Sequence, residues 1–248
     1  MPRRRSRRSS RFARALALLA AGGMVLAFLV WHGYVQTNHP SRARYPVRGV
    51  DVSHHQGAID WARLRAHGAE FAYLKASEGA TWRDSTFARN RAAASKAGVA
   101  TGAYHYFTFC APADAQARNF LAAAPPVAGD ALPPAVDLEF GGNCGARPPR
   151  DSVLAAVRAF LASVEAAHRR TVVLYATREF HEAYLAGSGI GNPLWARSLF
   201  GAPRYGGRWV LWQYGARGRM DGVETYIDLN AFNGSRAEFR RWARPPPR

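Results

Sequence analysis

Residues 71–107, FAYLKASEGATWRDSTFARNRAAASKAGVATGAYHYF, contain two short apolar runs separated by a stretch with helical periodicity. The runs Phe71–Ser77 and Ala100–Phe107 are rich in aromatic residues, which is typical of β-strands. Between them, Asp84–Ala97 has the spacing of an amphipathic helix, and Gly98 follows where helices commonly end in a left-handed residue. This order predicts two parallel strands joined by a right-handed crossover.

Similar units recur on both sides of this stretch. The predicted strands are Gly49–Ser53, Phe71–Ser77, Ala100–Phe107, Ala135–Glu139, Val172–Ala176, Leu194–Arg197, Val210–Tyr214 and Tyr226–Leu229. The predicted helices are Asp60–His67, Asp84–Ala97, Ala113–Ala123 and Ser152–His168. Repeated alternation predicts an α/β sheet or barrel. The last strands have little helix between them, so the end of the fold should depart from the regular unit.

The N-terminal region predicts export. Residues 1–14 are basic, and an apolar run follows at residues 15–31, ALALLAAGGMVLAFLVW. The length of this run lies between that of a signal-peptide core and that of a membrane-spanning helix. No small-x-small cleavage site follows, which favours an uncleaved signal anchor with the basic segment in the cytoplasm and the domain outside. This predicts a single-pass inner-membrane protein with a periplasmic domain; secretion after signal cleavage is the alternative.

Downstream of the apolar run, residues 32–47 are predicted to be a polar linker, 48–243 a barrel domain and 244–248 a frayed tail. Cys110 and Cys144 lie in loop-like sequence after predicted strands, and in an exported protein they predict one disulfide. Two unrelated buried thiols are the alternative.

The net charge of +17 does not indicate nucleic-acid binding. Residues 1–48 hold ten Arg and no acidic residue, so residues 49–248 carry only +7. The aromatic residues do not interleave with a basic stripe, as they do in many nucleic-acid-binding surfaces. Nucleic acid is therefore excluded as a partner, and a monomer is expected.

Two carboxylates end the apolar strand in Pro133-Pro134-Ala135-Val136-Asp137-Leu138-Glu139-Phe140. Because strand side chains alternate, Asp137 and Glu139 share one face. Proximity raises the pKa of one carboxyl group, which yields a neutral acid beside an ionised base, the pair that glycosidic cleavage uses. The structural alternative is that one acid caps a turn and the other pairs with an Arg.

Two further acids end strands in the same way. Asp51 lies in GVDVSHH (residues 49–55) and Asp228 in YIDLN (residues 226–230). If the first and last strands become neighbours in a closed barrel, both acids join the Asp137–Glu139 pair at the carboxyl-terminal rim, where barrel active sites lie.

Seven segments resemble, in order, those of glycoside hydrolase family 25, the muramidase-type lysozymes. They are GVDVSHHQGAIDW, FAYLKASEG, GAYHYF, PAVDLEF, VLYAT, LWQY and YIDLNAFNG, from about Arg48 to Gly234. The resemblance implies an irregular TIM-like (β/α)5(β)3 barrel without a cofactor, acting on peptidoglycan glycan strands at the β-1,4 bond between N-acetylmuramic acid and N-acetylglucosamine. It implies Glu139 as general acid, Asp137 as its partner, and Asp51 and Asp228 as further active-site acids.

The expected substrate-binding residues are Lys75, His105, Tyr106, Tyr175 and Trp212. Lys75 matches a cleft position of the family and is predicted to share a strand face with Tyr73 and Ser77. The others are the histidine and aromatic residues at strand ends, where rings stack on sugars.

Parts of the sequence also fit three other functions. His54-His55 beside Asp51 could bind zinc, but neighbouring side chains on an extended segment point to opposite faces, so no metal is predicted. A chitinase-like hydrolase would carry more acids before Asp137 than LPPAV supplies. A membrane-tethered glycan-binding module would be expected to have lost an acid, and all four are present.

Overall fold

The computed structural model describes residues 4–126 and 132–244 of the chain. Its strands are β1 Arg48–Val52, β2 Phe71–Glu78, β3 Trp82–Arg83, β4 Ala100–Tyr106, β5 Ala135–Leu138, β6 Val173–Ala176, β7 Leu194–Arg197, β8 Trp209–Gly218 and β9 Ile227–Phe232. Its helices are α1 Arg4–Trp31, α2 Trp61–Ala66, α3 Phe87–Lys96, α4 Ala113–Ala123, α5 Arg150–His168, α6 Arg178–Phe180 and α7 Arg236–Ala243.

Eight of these strands close into a barrel, which confirms the predicted fold. β1 pairs in parallel with β2 and antiparallel with β9, so the first and last barrel strands are neighbours. The strands from β4 to β8 follow one another in parallel order, and β8 and β9 form an antiparallel hairpin. The short β3 lies beside β2, outside the closed ring. Because β9 runs backwards, the barrel departs from the regular unit where the sequence predicted it would.

The core has two layers, one inside the barrel and one between the strands and the helices. Phe71, Tyr73 and Trp195 belong to the inner layer. Gly49 is required beside them, because a Cβ there would lie 2.5 Å from the Phe71 ring. Phe239 of α7 packs on Phe71 and closes the end opposite the carboxyl-terminal rim. Burying such a side chain contributes about 2–3 kcal/mol.

The N-terminal region is one continuous helix, α1. Its part from Ser10 to Trp31 has 22 residues and a mean hydropathy of 2.1, and none of it is buried. Length and composition are those of a membrane-spanning helix, although a signal sequence meets the same test.

Residues 32–47, predicted to be a linker, pack against the barrel and are called the strap below. Asn38 donates to the carbonyl groups of Ser198 and Tyr214. Tyr45 is buried against Trp209 and Trp212, and Val47 is buried in the inner layer. The folded domain therefore begins before residue 48. Of the predicted tail 244–248, residues 245–248 lie outside the described residues.

Candidate active site

A cavity of about 310 Å³ opens at the carboxyl-terminal ends of the barrel strands. Asp51, Asp137, Glu139 and Asp228 all line it, on strands separated widely in the sequence. The structure thus brings the four predicted acids together. Position alone does not assign their roles, which depend on hydrogen bonds and charge.

Asp51 is held by two side-chain amides. Gln213 donates to both of its carboxylate oxygens, at 3.2 and 3.0 Å, and Asn230 donates to Oδ2 at 2.6 Å. Each amide is oriented from behind: Tyr175 donates its hydroxyl to Gln213 Oε1, and Trp195 donates its indole N–H to Asn230 Oδ1. These contacts present only donors to Asp51, which favours its ionised form.

Asp228 lies opposite Asp51 in the β1–β9 pairing and titrates together with it. Burial raises the pKa of Asp51, and its hydrogen bonds with Gln213, Asn230 and Asp228 oppose that rise. For Asp228, burial, the charge of Asp51 and the hydrogen bond between them all raise the pKa well above its usual range. Of the two carboxyl groups, Asp228 is therefore the one whose surroundings favour the protonated form more strongly.

Asp137 and Glu139 form the second pair. Burial, followed by the charge of Glu139, raises the pKa of Asp137 well above its usual range. Among the described residues, no group bonds to the buried Oδ1 of Asp137, which makes its ionised form more costly. Burial also raises the pKa of Glu139, and the charges of Arg197 and Lys75 oppose this. Glu139 is thus a cavity-lining acid that keeps its proton to a higher pH than an ordinary glutamic acid does.

Three of the predicted substrate-binding residues line the cavity: Lys75, Tyr106 and Tyr175. The Lys75 ammonium pairs with Glu78 at 2.6 Å and lies 4.9 Å from the centre of the Tyr106 ring. The prediction that Ser77 shares this face was wrong. A register shift between Lys75 and Ser77 turns Ser77 away from the cavity. On the other face of the strand, Ser77 hydrogen-bonds to His105.

His105 and Trp212 do not line the cavity, which corrects their expected role in substrate binding. His105 is fully buried on the helix side of β4, bonded to Ser77 and Gln116 and stacked on Phe160. Trp212 is buried on the outer side of β8 and donates its indole N–H to the carbonyl of Ser198. Strand alternation places both side chains on the face opposite their cavity-lining neighbours.

The prediction that His54 and His55 lie on an extended segment with side chains on opposite faces was also wrong. These residues begin a 3₁₀ turn, His54–Gln56, rather than an extended segment, and their rings lie 4.0 Å apart. His54 Nδ1 lies 3.2 Å from Asp84 Oδ2, and the backbone N–H of His54 donates to the same oxygen. Within residues 4–126 and 132–244, no group of three His, Cys, Asp or Glu side chains has a metal-binding arrangement.

Cys110 and Cys144 form a disulfide, as predicted. It joins the loops that follow β4 and β5, and the second of these contains Glu139. Asn143 strengthens the same connection, because its amide donates to the carbonyls of Phe107 and Glu139. The loop that positions Glu139 is therefore fixed at both its start and its end.

The chain matches the family model of glycosyl hydrolases family 25 over residues 50–223. It belongs to glycoside hydrolase family 25. The match includes Asp51, Asp137 and Glu139 and ends just before Asp228.

Relatives and solved structures agree with this membership. The chain is 34% identical to Lysozyme M1 of Streptomyces globisporus over 78% of this chain and 70% of that protein. It is 34% identical to the uncharacterized protein YegX of Escherichia coli K12, over 80% and 74%. A family 25 glycosyl hydrolase from Bacillus anthracis superposes with a TM-score of 0.79 at 34% identity, covering 86% of this chain and 99% of that one. The bacterial lysozyme from Streptomyces coelicolor gives 0.72 at 32%, covering 79% and 96%.

Several residues of this family 25 site were not predicted. Gln213 and Asn230 hold Asp51, and Tyr104, Trp195 and Arg197 also line the cavity. A signal for two of them was present: Asn230 is two residues from Asp228 on one strand, and Tyr104 is two residues from Tyr106. Period-two alternation places each on the same face as its partner.

A second cavity of about 570 Å³ adjoins the first and shares Arg197 with it. It lies between the segments after β6 and β7 and is lined by Arg178, Arg204 and Phe200, whose side chain is 89% exposed. The two cavities lie next to each other at the rim, with Arg197 lining both.

Proposed function

We propose that the chain is a membrane-anchored lysozyme that hydrolyses the β-1,4 bond between N-acetylmuramic acid and N-acetylglucosamine in peptidoglycan. Membership of glycoside hydrolase family 25 supports hydrolysis of a glycan, and the name of the related Lysozyme M1 supports this substrate. The observation that carries the proposal is the group of four carboxyl groups in one rim cavity.

Glu139 is proposed as the general acid. Its raised pKa keeps a proton available for the leaving oxygen at a pH where an ordinary glutamic acid is ionised. Arg197 lines the same cavity and stabilises the carboxylate that remains after proton transfer. Lys75, Tyr106 and Tyr175 are proposed to contact the sugar from the cavity walls.

Asp137 is proposed to orient the N-acetyl group of the substrate, whose amide oxygen attacks the anomeric carbon as Glu139 donates its proton. The carbonyl oxygen of the Asp137 carboxyl then accepts a hydrogen bond from the amide N–H of the ring intermediate. Asp51 and Asp228 position the substrate on the other side. In this route water attacks the anomeric carbon from the face that the leaving group vacated and breaks its bond to the amide oxygen, while the Glu139 carboxylate takes up the proton of the water.

The stereochemical test is NMR of the first products from a defined muropeptide oligomer. The substrate-assisted route predicts β-configured products and no glycosyl-enzyme adduct by mass spectrometry. α-Configured initial product, or a trapped adduct on Asp137, contradicts it.

The assignment of the acid is tested with Glu139→Gln, which keeps the shape of the side chain and removes the proton donor. Release of reducing ends from purified peptidoglycan should fall at least about 100-fold. Glu182→Gln, an exposed position on the turn after α6, is the matched control and should retain activity. Unchanged hydrolysis by Glu139→Gln would refute the role of Glu139.

The same digestion separates the alternative functions. A new reducing end on N-acetylmuramic acid identifies a muramidase. Cleavage of chitin oligomers at a comparable rate identifies a chitinase-like hydrolase, and binding without cleavage identifies a glycan-binding module. For the anchor, α1 should remain in the membrane fraction with the barrel on the periplasmic side, and a mature N-terminus beyond residue 31 would instead show secretion.

A further inference from the structure

The end of α1 contacts the hairpin that joins β8 to β9, here called the rim hairpin (residues 216–227). Arg217 donates to the carbonyl of Trp31 at 3.1 Å, and its guanidinium lies 3.9 Å from the centre of the Trp31 ring. Arg219 donates to the carbonyl of His32 at 2.7 Å. Two arginines of the rim hairpin thus cap the last carbonyls of α1, where the helix dipole favours positive charge.

Further contacts fix this junction between the end of α1 and the rim hairpin, here called the joint. The Tyr226 hydroxyl and His32 Nδ1 are 3.0 Å apart, and Gln36 donates to the carbonyls of both Gly33 and Arg217. Gly33 has a φ of +67°, and a Cβ there would overlap the carbonyl oxygen of Arg217. Only glycine lets the chain leave the helix this close to the hairpin.

This joint lies at the catalytic end of the barrel. Ala216, the neighbour of Arg217, lines the active-site cavity. Gln56, another cavity residue, donates its amide to the carbonyl of Tyr226. The joint is therefore one residue from the cavity-lining Ala216 on one strand of the hairpin and two residues from the cavity-lining Asp228 on the other.

The strap explains how the chain reaches β1 from there. From the rim it runs along β7 and β8, bonded through Asn38 to Ser198 and Tyr214, to the buried Tyr45 and Val47. β1 then begins at the opposite end of the barrel, since Asp51 near its end is at the rim. A free linker would let the barrel hang from that opposite end. The strap instead brings the catalytic end to the point where α1 ends.

We propose that the strap and the rim hairpin hold the mouth of the active site against the membrane surface from which α1 emerges, so that the enzyme cuts glycan strands lying next to the bilayer. The partner surface is the lipid headgroup layer. Trp31 and Tyr34 are 62% and 61% exposed beside the two arginines, an aromatic and cationic composition suited to that layer. The inference rests on the proposed function in one respect, the retention of α1 as an anchor.

The orientation is tested with the full chain in proteoliposomes that contain a headgroup-attached nitroxide quencher. Both native cysteines are in the disulfide, so Glu224→Cys on the rim hairpin or Ala237→Cys on α7 gives a single free thiol for a fluorophore. Because the barrel ends are roughly 20 Å apart by strand rise, collisional quenching at position 224 should exceed that at 237 by at least about threefold. Equal quenching, or stronger quenching at 237, overturns the proposal.

A bulkier side chain at residue 33 tests whether the joint sets the orientation. Gly33→Val should separate α1 from Arg217 and bring the two quenching values to near equality. Gly23→Val is the matched control, because a Cβ at Gly23 meets nothing within 4 Å, and it should keep the difference. If Gly33→Val keeps the difference with its unfolding midpoint unchanged, the joint does not set the orientation and the proposal fails.

Activity gives an independent readout on the same vesicles. The docked enzyme should digest soluble muropeptide oligomers faster than whole sacculi, and Gly33→Val should raise the rate on sacculi without changing the rate on oligomers. No change on sacculi overturns the restriction to membrane-proximal glycan. If the unaltered chain hydrolyses neither substrate, the proposed lysozyme activity is refuted, whatever the quenching shows.

Discussion

Asp51 lies directly opposite Asp228 in the antiparallel pairing that joins the first and last barrel strands. The two carboxyl groups differ in their surroundings, because the amides of Gln213 and Asn230 both donate to Asp51. Burial and the charge of Asp51 raise the pKa of Asp228 well above its usual range. The two carboxyl groups at this seam thus differ in pKa, because different neighbours donate hydrogen bonds to them.

Asparagine substitutions should distinguish these two acids. Asp51→Asn turns an amide towards the donors of Gln213 and Asn230, leaving buried N–H groups unpaired, and should lower the free energy of unfolding by about 2–4 kcal/mol. Asp228→Asn keeps a neutral donor towards Asp51 and should change stability by less than about 1 kcal/mol. Urea denaturation followed by tryptophan fluorescence measures both. Equal losses would contradict the difference in surroundings between the two carboxyl groups.

Asp137 should make the domain less stable as the pH rises. Its pKa in the folded state is raised well above 3.8, so above that pH the native state binds more protons than the unfolded state. Stability is then fully present below about pH 3.8 and is lost as the pH rises towards the folded pKa. Asp137→Asn should flatten this part of the stability profile in urea titrations. Asp114→Asn, at an exposed position with a lowered pKa, is the control and should leave that slope unchanged.

His105 should act on stability rather than on substrate binding. His105→Ala removes two buried hydrogen bonds and the contact with Phe160, with an expected loss of about 2–4 kcal/mol. Burial lowers the pKa of His105 to about 4, so its contribution is present above pH 6.5 and is lost as the pH falls towards 4. The KM of the folded variant should match that of the unaltered chain. A raised KM with unchanged stability would restore the role predicted from sequence.

Removing the disulfide should weaken the loop that carries Glu139. Cys110 and Cys144 are 34 residues apart, and opening a loop of this length costs about 3–4 kcal/mol by the chain-entropy estimate. Cys110→Ser with Cys144→Ser should lower the melting temperature, and kcat should fall more than KM rises. Calorimetry and peptidoglycan digestion measure these effects. An unchanged kcat would show that Asn143 alone suffices to hold the loop.

Much of the fold followed from the sequence, because strand and helix periodicities are local. Every predicted barrel strand is present, and the alternation in Asp137-Leu138-Glu139 places both acids at the rim. The predictions for His105 and Trp212 were wrong because a position at a strand end does not tell on which face of the strand the side chain lies. The alternation of side chains along a strand already places His105 and Tyr106 on opposite faces. In contrast, the register shift after Lys75 has no signature in FAYLKASEG, since it depends on pairing with a distant strand.

The strap was not predictable for a related reason. Its polar composition and two prolines are typical of linkers. What binds it is a set of carbonyl groups on β7, β8 and the rim hairpin, which are far away in the chain. Backbone acceptors leave no trace in side-chain composition, so only the folded barrel reveals them.

The seam between β1 and β9 also decides when the acid cluster can form. Asp51 and Asn230, which bond across this seam, are 179 residues apart, so β9 must be synthesised before that bond can form. Contacts this distant in sequence form late, because loop closure must precede them. A nascent chain that has emerged as far as β8 has most of a barrel but lacks Asp228. The four acids can therefore line one cavity only after β9 has paired with β1 and β8.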